Sequence, residues 1–172
     1  MDGTGIAAIM IIDAWPAPVT GKRSGKRAIK TPSPDGKMML EIPNLLVTDD
    51  DSAFRQVVCE GLVRRGFQVT EARDGQEAIE VLQRAQVHMA LLDFHMPRLS
   101  GLEVIRHLYE SPESPPCVLM SAELDDEVRR EAQRMRAYDV LSKPVRMQQL
   151  TQIVCSALTA VYGWCPPDSW RS

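Results

Sequence analysis

The chain has 172 residues, 44% of them hydrophobic and 25% charged, a balance that excludes the disordered and membrane classes and fits one ordinary domain with some residues to spare. A net charge of −3 gives no electrostatic case for nucleic acid as the main partner. The cysteines Cys59, Cys117, Cys155 and Cys165 form no CxxC pair and no metal-ligand spacing, and most fall in apolar runs. They are expected to be small buried thiols in a reducing cytoplasm.

Taken in chain order, the run IAAIMII (Ile6 to Ile12) is far too short to span a membrane, and Asp2 stands where a secretory signal would carry positive charge. It is expected to be neither anchor nor signal. Residues 1–43 carry a net charge of +2, and residues 44–172 one of −5. The stretch TGKRSGKRAIKTPSPDGK is rich in Lys, Gly, Ser and Pro and cannot bury a core, so residues 1–43 read as a flexible, disordered tail. Met38 and Met39, just ahead of the first strand of the domain, offer an alternative start of translation.

From residue 44 the period alternates. NLLVT reads as a strand, and SAFRQVVCEGLVRRG as a helix with Phe54, Val58 and Leu62 on one side and Gly66 as its stop. FQVTEA is a second strand, followed by the helix DGQEAIEVLQRA with Asp74 placed to cap it. VHMALLD is apolar nearly throughout, as a strand covered on both faces should be. The helix SGLEVIRHLYE, the strand PCVLMS and the helix LDDEVRREAQRMR follow, the last with its acids early and its arginines late, in keeping with the helix dipole. YDVLSKP is a fifth strand, MQQLTQIVCSALTAVY a last helix, and residues 163–172 a short irregular tail. Strict βα alternation predicts an α/β, flavodoxin-like doubly wound (βα)5 domain with a five-stranded parallel sheet over residues 44–162. Its working site would lie beyond the carboxyl ends of the strands.

Those strand ends carry Asp49 and Asp50, Asp93, Ser121 and Lys143. Three carboxylates brought to one rim cannot all stay ionised without a cation, and hard oxygen ligands with room for water suit Mg²⁺. A carboxylate beside a metal, an ammonium and a hydroxyl can accept a phosphoryl group. From residue 44 onward, 13 of the 14 basic side chains are arginine and the remaining one is Lys143, directly before Pro144. A compact point charge suits a phosphoryl oxygen or carboxylate where a broad guanidinium would not fit. Asp51, third in the run VTDDDSAF, reads instead as the cap of the first helix.

From about Asn44 to Tyr162 the chain resembles a receiver domain of two-component response regulators, with the family's motifs in order: DD after strand one, DFHMPRLSG as D-x-x-M-P-x-x-x-G, SA, then KP. The resemblance implies Asp93 as the phosphorylated residue, Asp49 and Asp50 as the acidic pair for Mg²⁺, and His95 as the donor of a backbone carbonyl to the metal. It makes Ser121 the hydroxyl that meets the phosphoryl group and Lys143 the matching lysine. His88 and His107 are assigned to packing or surface, and Arg129, Arg130, Arg134 and Arg136 to a solvated face of the fourth helix. The pattern departs at Val140, where the family often has an aromatic switch residue, and at Arg136, where glycine is common at the end of helix four. Tyr138 lies two residues before Val140, a spacing that on a strand points the same way.

The expected function is that of a single-domain response regulator: a cytoplasmic phosphoacceptor, not an enzyme acting on other substrates, served by a sensor histidine kinase or phosphotransfer protein. No residues remain after Tyr162 for an output domain, so output would be direct protein binding or passing the phosphoryl group onward, with helix four, strand five and helix five as the shifting surface. Three alternatives stay in view. A haloacid-dehalogenase-type phosphohydrolase uses similar residues, but with the nucleophile on the first strand and the acidic pair late, and DFH lacks its second aspartate. A flavin-binding protein would need a phosphate-cradling loop where TDDDS repels phosphate. A pseudo-receiver would keep the fold as an unphosphorylated docking module.

Overall fold

The computed structural model describes residues 30–32, 38–40, 42–109 and 114–167. The Ile6–Ile12 run, most of the 1–43 tail and residues 168–172 lie outside the described residues. Inside that tail, β1 (Lys30–Pro32) and β2 (Met38–Leu40) pair antiparallel, with Lys30 opposite Leu40. Met38 and Met39 therefore sit in a strand of their own. Composition does not show this, because the pairing uses backbone groups that every residue except proline carries in full.

The remainder follows the expected alternation: β3 (Asn44–Thr48), α1 (Ser52–Val63), β4 (Gln68–Ala72), α2 (Gly75–Arg84), β5 (Met89–Asp93), α3 (Gly101–Tyr109), β6 (Cys117–Ser121), α4 (Asp126–Arg134), β7 (Asp139–Ser142) and α5 (Met147–Tyr162). The strands form one parallel sheet in the order β4-β3-β5-β6-β7, the expected flavodoxin-like arrangement. β5 and β6 are buried at every position because helices cover both faces. One face packs Leu45, Val47, Leu91, Met120 and Leu141 against Val58 and Leu62 of α1 and Leu150, Val154 and Leu158 of α5. The other packs Leu46, Ala90, Leu92 and Leu119 against Ala78, Leu102, Ile105 and Ala132 of α2, α3 and α4. Among the described residues, no helix is long and apolar enough to cross a membrane.

Helix starts follow side-chain chemistry. Asp51, Asp74 and Asp125 accept backbone N–H groups at the starts of α1, α2 and α4, and Ser100 and Glu103 cap each other ahead of α3. The Asp51 carboxylate takes the amides of Ala53 at 2.9 Å and Phe54 at 3.2 Å, as expected of a cap. Asp51→Ala is expected to cost about 1 kcal/mol, read as a lower urea midpoint with an unchanged slope.

Three expectations change in detail. Trp164, placed in the irregular C-terminal tail, is buried against Phe67 at 5.8 Å between ring centroids, so the packed domain runs past Tyr162. The left-handed Gly163 (φ 64°) ends α5 and turns the chain back so that the indole can enter the core. Tyr138 does not share a face with Val140: it packs on the α1/α5 side and contacts Ser156 Oγ at 3.1 Å, whereas Val140 packs on the α2/α3/α4 side. The alternation breaks at Asp139, where the regular strand begins and whose carboxylate takes the Val140 amide at 2.7 Å. Of the cysteines only Cys59 and Cys117 are buried, and burial pushes both thiols up to about 12; Cys155 is half-buried and Cys165 exposed.

Arg136 shows why glycine is common at its position. Its φ is 52°, in the left-handed region that a side chain disfavours, and the Tyr109 hydroxyl donates to its carbonyl at 2.6 Å. Arg129, Arg130, Arg134 and Arg136 are all exposed, as is His107. His88 is buried, and its Nδ1 accepts the Asn44 amide at 2.9 Å.

Candidate functional site

The first connection carries the chain from β3 outward to β4, and the second brings it back across to β5. The loops after β3 and β5 therefore diverge, leaving a crevice at the carboxyl ends of these adjacent strands. Thr48 is in register with Leu92, so the next residues, Asp49 and Asp93, emerge side by side. Lys143 follows β7 and reaches the same rim, and Ser121 ends β6 between them.

Asp49, Asp50 and Asp93 each offer a carboxylate oxygen within 4.8 Å of the others. Asp49 and Asp93 are buried while Asp50 is exposed, so the cluster is open on one side. The Lys143 ammonium bridges the buried pair, donating to Asp49 Oδ2 at 2.7 Å and contacting Asp93 Oδ1 at 2.9 Å. Asp49 Oδ1 accepts the Asp51 amide at 3.0 Å, which ties the metal-type aspartate to the capping one. The three neighbouring acids thus divide: Asp49 and Asp50 face the cluster and Asp51 starts the helix.

The charges leave a clear mark. Burial raises the Asp93 carboxyl above its ordinary 3.8; the hydrogen bond from Lys143 works against this, and the Asp49 and Asp50 charges add to it. For Lys143, burial works to lower the ammonium, but the hydrogen bonds and charges of Asp49 and Asp93 outweigh it and hold the group above 10.5. An all-oxygen donor set with one open side suits a hard divalent cation.

Ser121 is fully buried at the end of β6, and its hydroxyl donates to the Glu123 carbonyl at 2.7 Å. His95 is exposed two residues after Asp93, its ring edge-on to Phe94 at 4.7 Å between centroids. Its ring is not part of the carboxylate cluster.

Two contributors escape a reading of the sequence, and a third, the glycine of the DFHMPRLSG motif, gains its physical reason only in the structure. Arg55 donates from one guanidinium nitrogen to the Asp49 carbonyl at 2.6 Å and from Nε to Glu71 at 3.1 Å, tying α1 to the acidic loop and to β4. The face of Phe54 lies against the Lys143 ammonium, 4.5 Å from Nζ to the ring centroid. Gly101 gives the D-x-x-M-P-x-x-x-G motif its physical reason: a Cβ there would sit 2.4 Å from the Asp93 carbonyl oxygen. The Arg55 spacing was readable in principle, since an arginine on the first turns of α1 can reach back to the loop. The Phe54 contact crosses most of the domain and had no local signal.

The family model of the response regulator receiver domain matches residues 45–155. Response regulator RR06 of Streptococcus pneumoniae is 32% identical over 128 residues, covering 74% of this chain and 58% of that protein. Several curated relatives are longer, and the chain spans only 26% to 58% of them. Among solved structures, the chemotaxis protein CheY4 of Vibrio cholerae is similar at 27% identity and a TM-score of 0.65, over 68% of this chain and 99% of that one. A Burkholderia pseudomallei response regulator, solved with a phosphorylated aspartic acid, calcium ion and citrate, is 25% identical with a TM-score of 0.59, over 69% of this chain and 66% of that one. With the sheet order, the acidic rim and the bridging lysine in place, these matches show that the chain belongs to the response regulator receiver domain family.

Proposed function

We propose that this protein is a phosphoacceptor of a two-component phosphorelay, in which Asp93 takes a phosphoryl group from the phosphohistidine of a sensor kinase or phosphotransfer protein. The observation that carries this reading is the buried Asp93 carboxylate, bridged to Asp49 by the Lys143 ammonium and gathered with Asp50 into one cluster. In the transfer, an Asp93 carboxylate oxygen forms a bond to phosphorus while the donor's P–N bond breaks, and the leaving imidazole nitrogen keeps the electron pair. Mg²⁺, held by the carboxylates of Asp49, Asp50 and Asp93 and the backbone carbonyl of His95, would neutralise charge on the phosphoryl oxygens. Lys143 offsets the charge left on the acyl phosphate and orients one of its oxygens.

Ser121 supplies the switch. To reach a phosphoryl oxygen its hydroxyl must leave the Glu123 carbonyl, which releases the loop leading into α4. Val140 is half-buried against the α2/α3/α4 face, so a rotating aromatic at that position plays no part. Output passes through protein contacts around α4, β7 and α5, and the chemistry is confined to the domain's own phosphorylation and dephosphorylation in a cytoplasmic setting.

Intact-mass spectrometry after incubation with phosphoramidate tests this. One phosphoryl adduct is expected in the wild type with Mg²⁺, and none in its absence or in Asp93→Ala. Failure of folded wild-type protein to gain an adduct would count against the acceptor reading and favour a docking module.

A further inference from the structure

We propose that Phe54 is a positioning residue for Lys143: its ring face holds the ammonium between Asp49 and Asp93 and thereby sets the rate at which Asp93 is phosphorylated. The inference rests on Asp93 being the phosphoryl acceptor.

Lys143 reaches the site on a long flexible stem from the last strand, so nothing in its own backbone fixes the ammonium. Three groups do. Asp49 and Asp93 accept from it at 2.7 and 2.9 Å, and the centroid of the Phe54 ring lies 4.5 Å from Nζ, inside the range of a cation–π contact. The ring is itself held. Phe54 lies in the first turn of α1, its amide is taken by Asp51 Oδ1 at 3.2 Å, and the Asp51 amide is taken by Asp49 Oδ1 at 3.0 Å. Its side chain packs on the α1/α5 core face. Acidic pair, cap and ring therefore move as one piece.

The chemistry of a ring at this place differs from that of a polar neighbour. An ammonium has three N–H donors. A carbonyl or carboxylate in place of Phe54 would consume the third, whereas a π face attracts the charge and accepts no directed hydrogen bond of comparable strength. The ring thus restrains the cation while leaving a donor for an arriving phosphoryl oxygen. Leucine would fill much of the volume and supply none of this attraction.

The experiment follows adduct growth by intact mass with phosphoramidate and Mg²⁺. Phe54→Leu is expected to slow phosphorylation roughly 5-fold, and Phe54→Met, which also packs without a π face, to do the same. Phe54→Tyr is expected to stay within about 2-fold of the wild type, because it keeps the ring. In a Lys143→Met background, Phe54→Leu should cause no further slowing. Equal slowing in both backgrounds, no slowing in either, or a Tyr variant as slow as Leu would overturn the proposal. If the wild type gains no adduct, the acceptor reading fails on its own, and the same variants are read by thermal unfolding. A Tm loss from Phe54→Leu that shrinks in the Lys143→Met background supports the contact, and additive losses overturn it.

Discussion

Gly101→Ala is expected to lower the free energy of unfolding by about 2–3 kcal/mol and to slow phosphorylation of Asp93. The added Cβ would lie 2.4 Å from the Asp93 carbonyl oxygen and 2.8 Å from Leu119 Cδ2. The nearer atom is backbone, in the strand that carries the proposed phosphoacceptor, and it cannot swing away. Relief requires α3 to lift from the sheet or the Asp93 peptide to turn, and either change disturbs the rim. Gly61→Ala is the control. Its Cβ would meet Met147 Cε at 2.6 Å, the far end of a flexible side chain, and alanine gains about 1 kcal/mol of helix propensity over glycine. The Gly61 variant should therefore unfold within about 1 kcal/mol of the wild type and be phosphorylated at the wild-type rate. Urea curves with a common slope give the comparison, and a Gly101→Ala protein as stable as Gly61→Ala would show that α3 is free to move.

How far the molecule could be read from its sequence depends on the range of the interaction. The five strands, five helices and their order were legible because apolar period, caps and stops are local. β5 announced its burial by being apolar nearly throughout, and Asp51 announced its cap by position. The rim residues were legible because each is a polar residue closing an apolar run, and the parallel alternation sends all such ends to one side. What was not legible depends on contacts that sequence spacing does not encode. Lys143 bridges to Asp49 across 94 positions, and the same reach places it on Phe54, which by spacing alone is one more core residue on the first helix. Trp164 follows a glycine in a proline-rich tail, and only the left-handed turn at Gly163 brings it into the core. The phase of Tyr138 was not legible because alternation holds only within the regular strand, which begins at Asp139. Ser121 stands where expected, yet its hydroxyl faces the Glu123 carbonyl, a loop geometry that residue type does not determine.

Removing one charge from the acidic cluster should stabilise the protein in the absence of divalent metal. Asp93 is raised in the folded state above its ordinary 3.8, chiefly by burial, so the folded chain binds this proton more tightly than the unfolded chain. Stability contributed by this group therefore falls as pH rises from 3.8 through the folded value, and at neutral pH the ionised Asp93 is a net cost. Lys143 acts in the other direction. It is raised above 10.5, so the stability it lends is fully present below 10.5 and is lost only on the alkaline side as pH passes its folded value. Asp93→Asn keeps an oxygen for Lys143 and removes the buried charge, so at pH 7 without metal it should be more stable than the wild type by on the order of 1 kcal/mol. Below pH 3.8 the two proteins should converge, because Asp93 is then neutral in the wild type as well. Metal reverses the ranking. If the cluster binds Mg²⁺ as proposed, a concentration 100-fold above Kd stabilises the wild type by about 2.7 kcal/mol, while the variant, lacking one of three anionic ligands, gains less. Thermal unfolding of both proteins with EDTA and with Mg²⁺ therefore has a signed outcome at every corner. A variant less stable than the wild type in EDTA would mean that the Lys143 bridge outweighs the burial of Asp93, and that the cluster is satisfied without a metal ion.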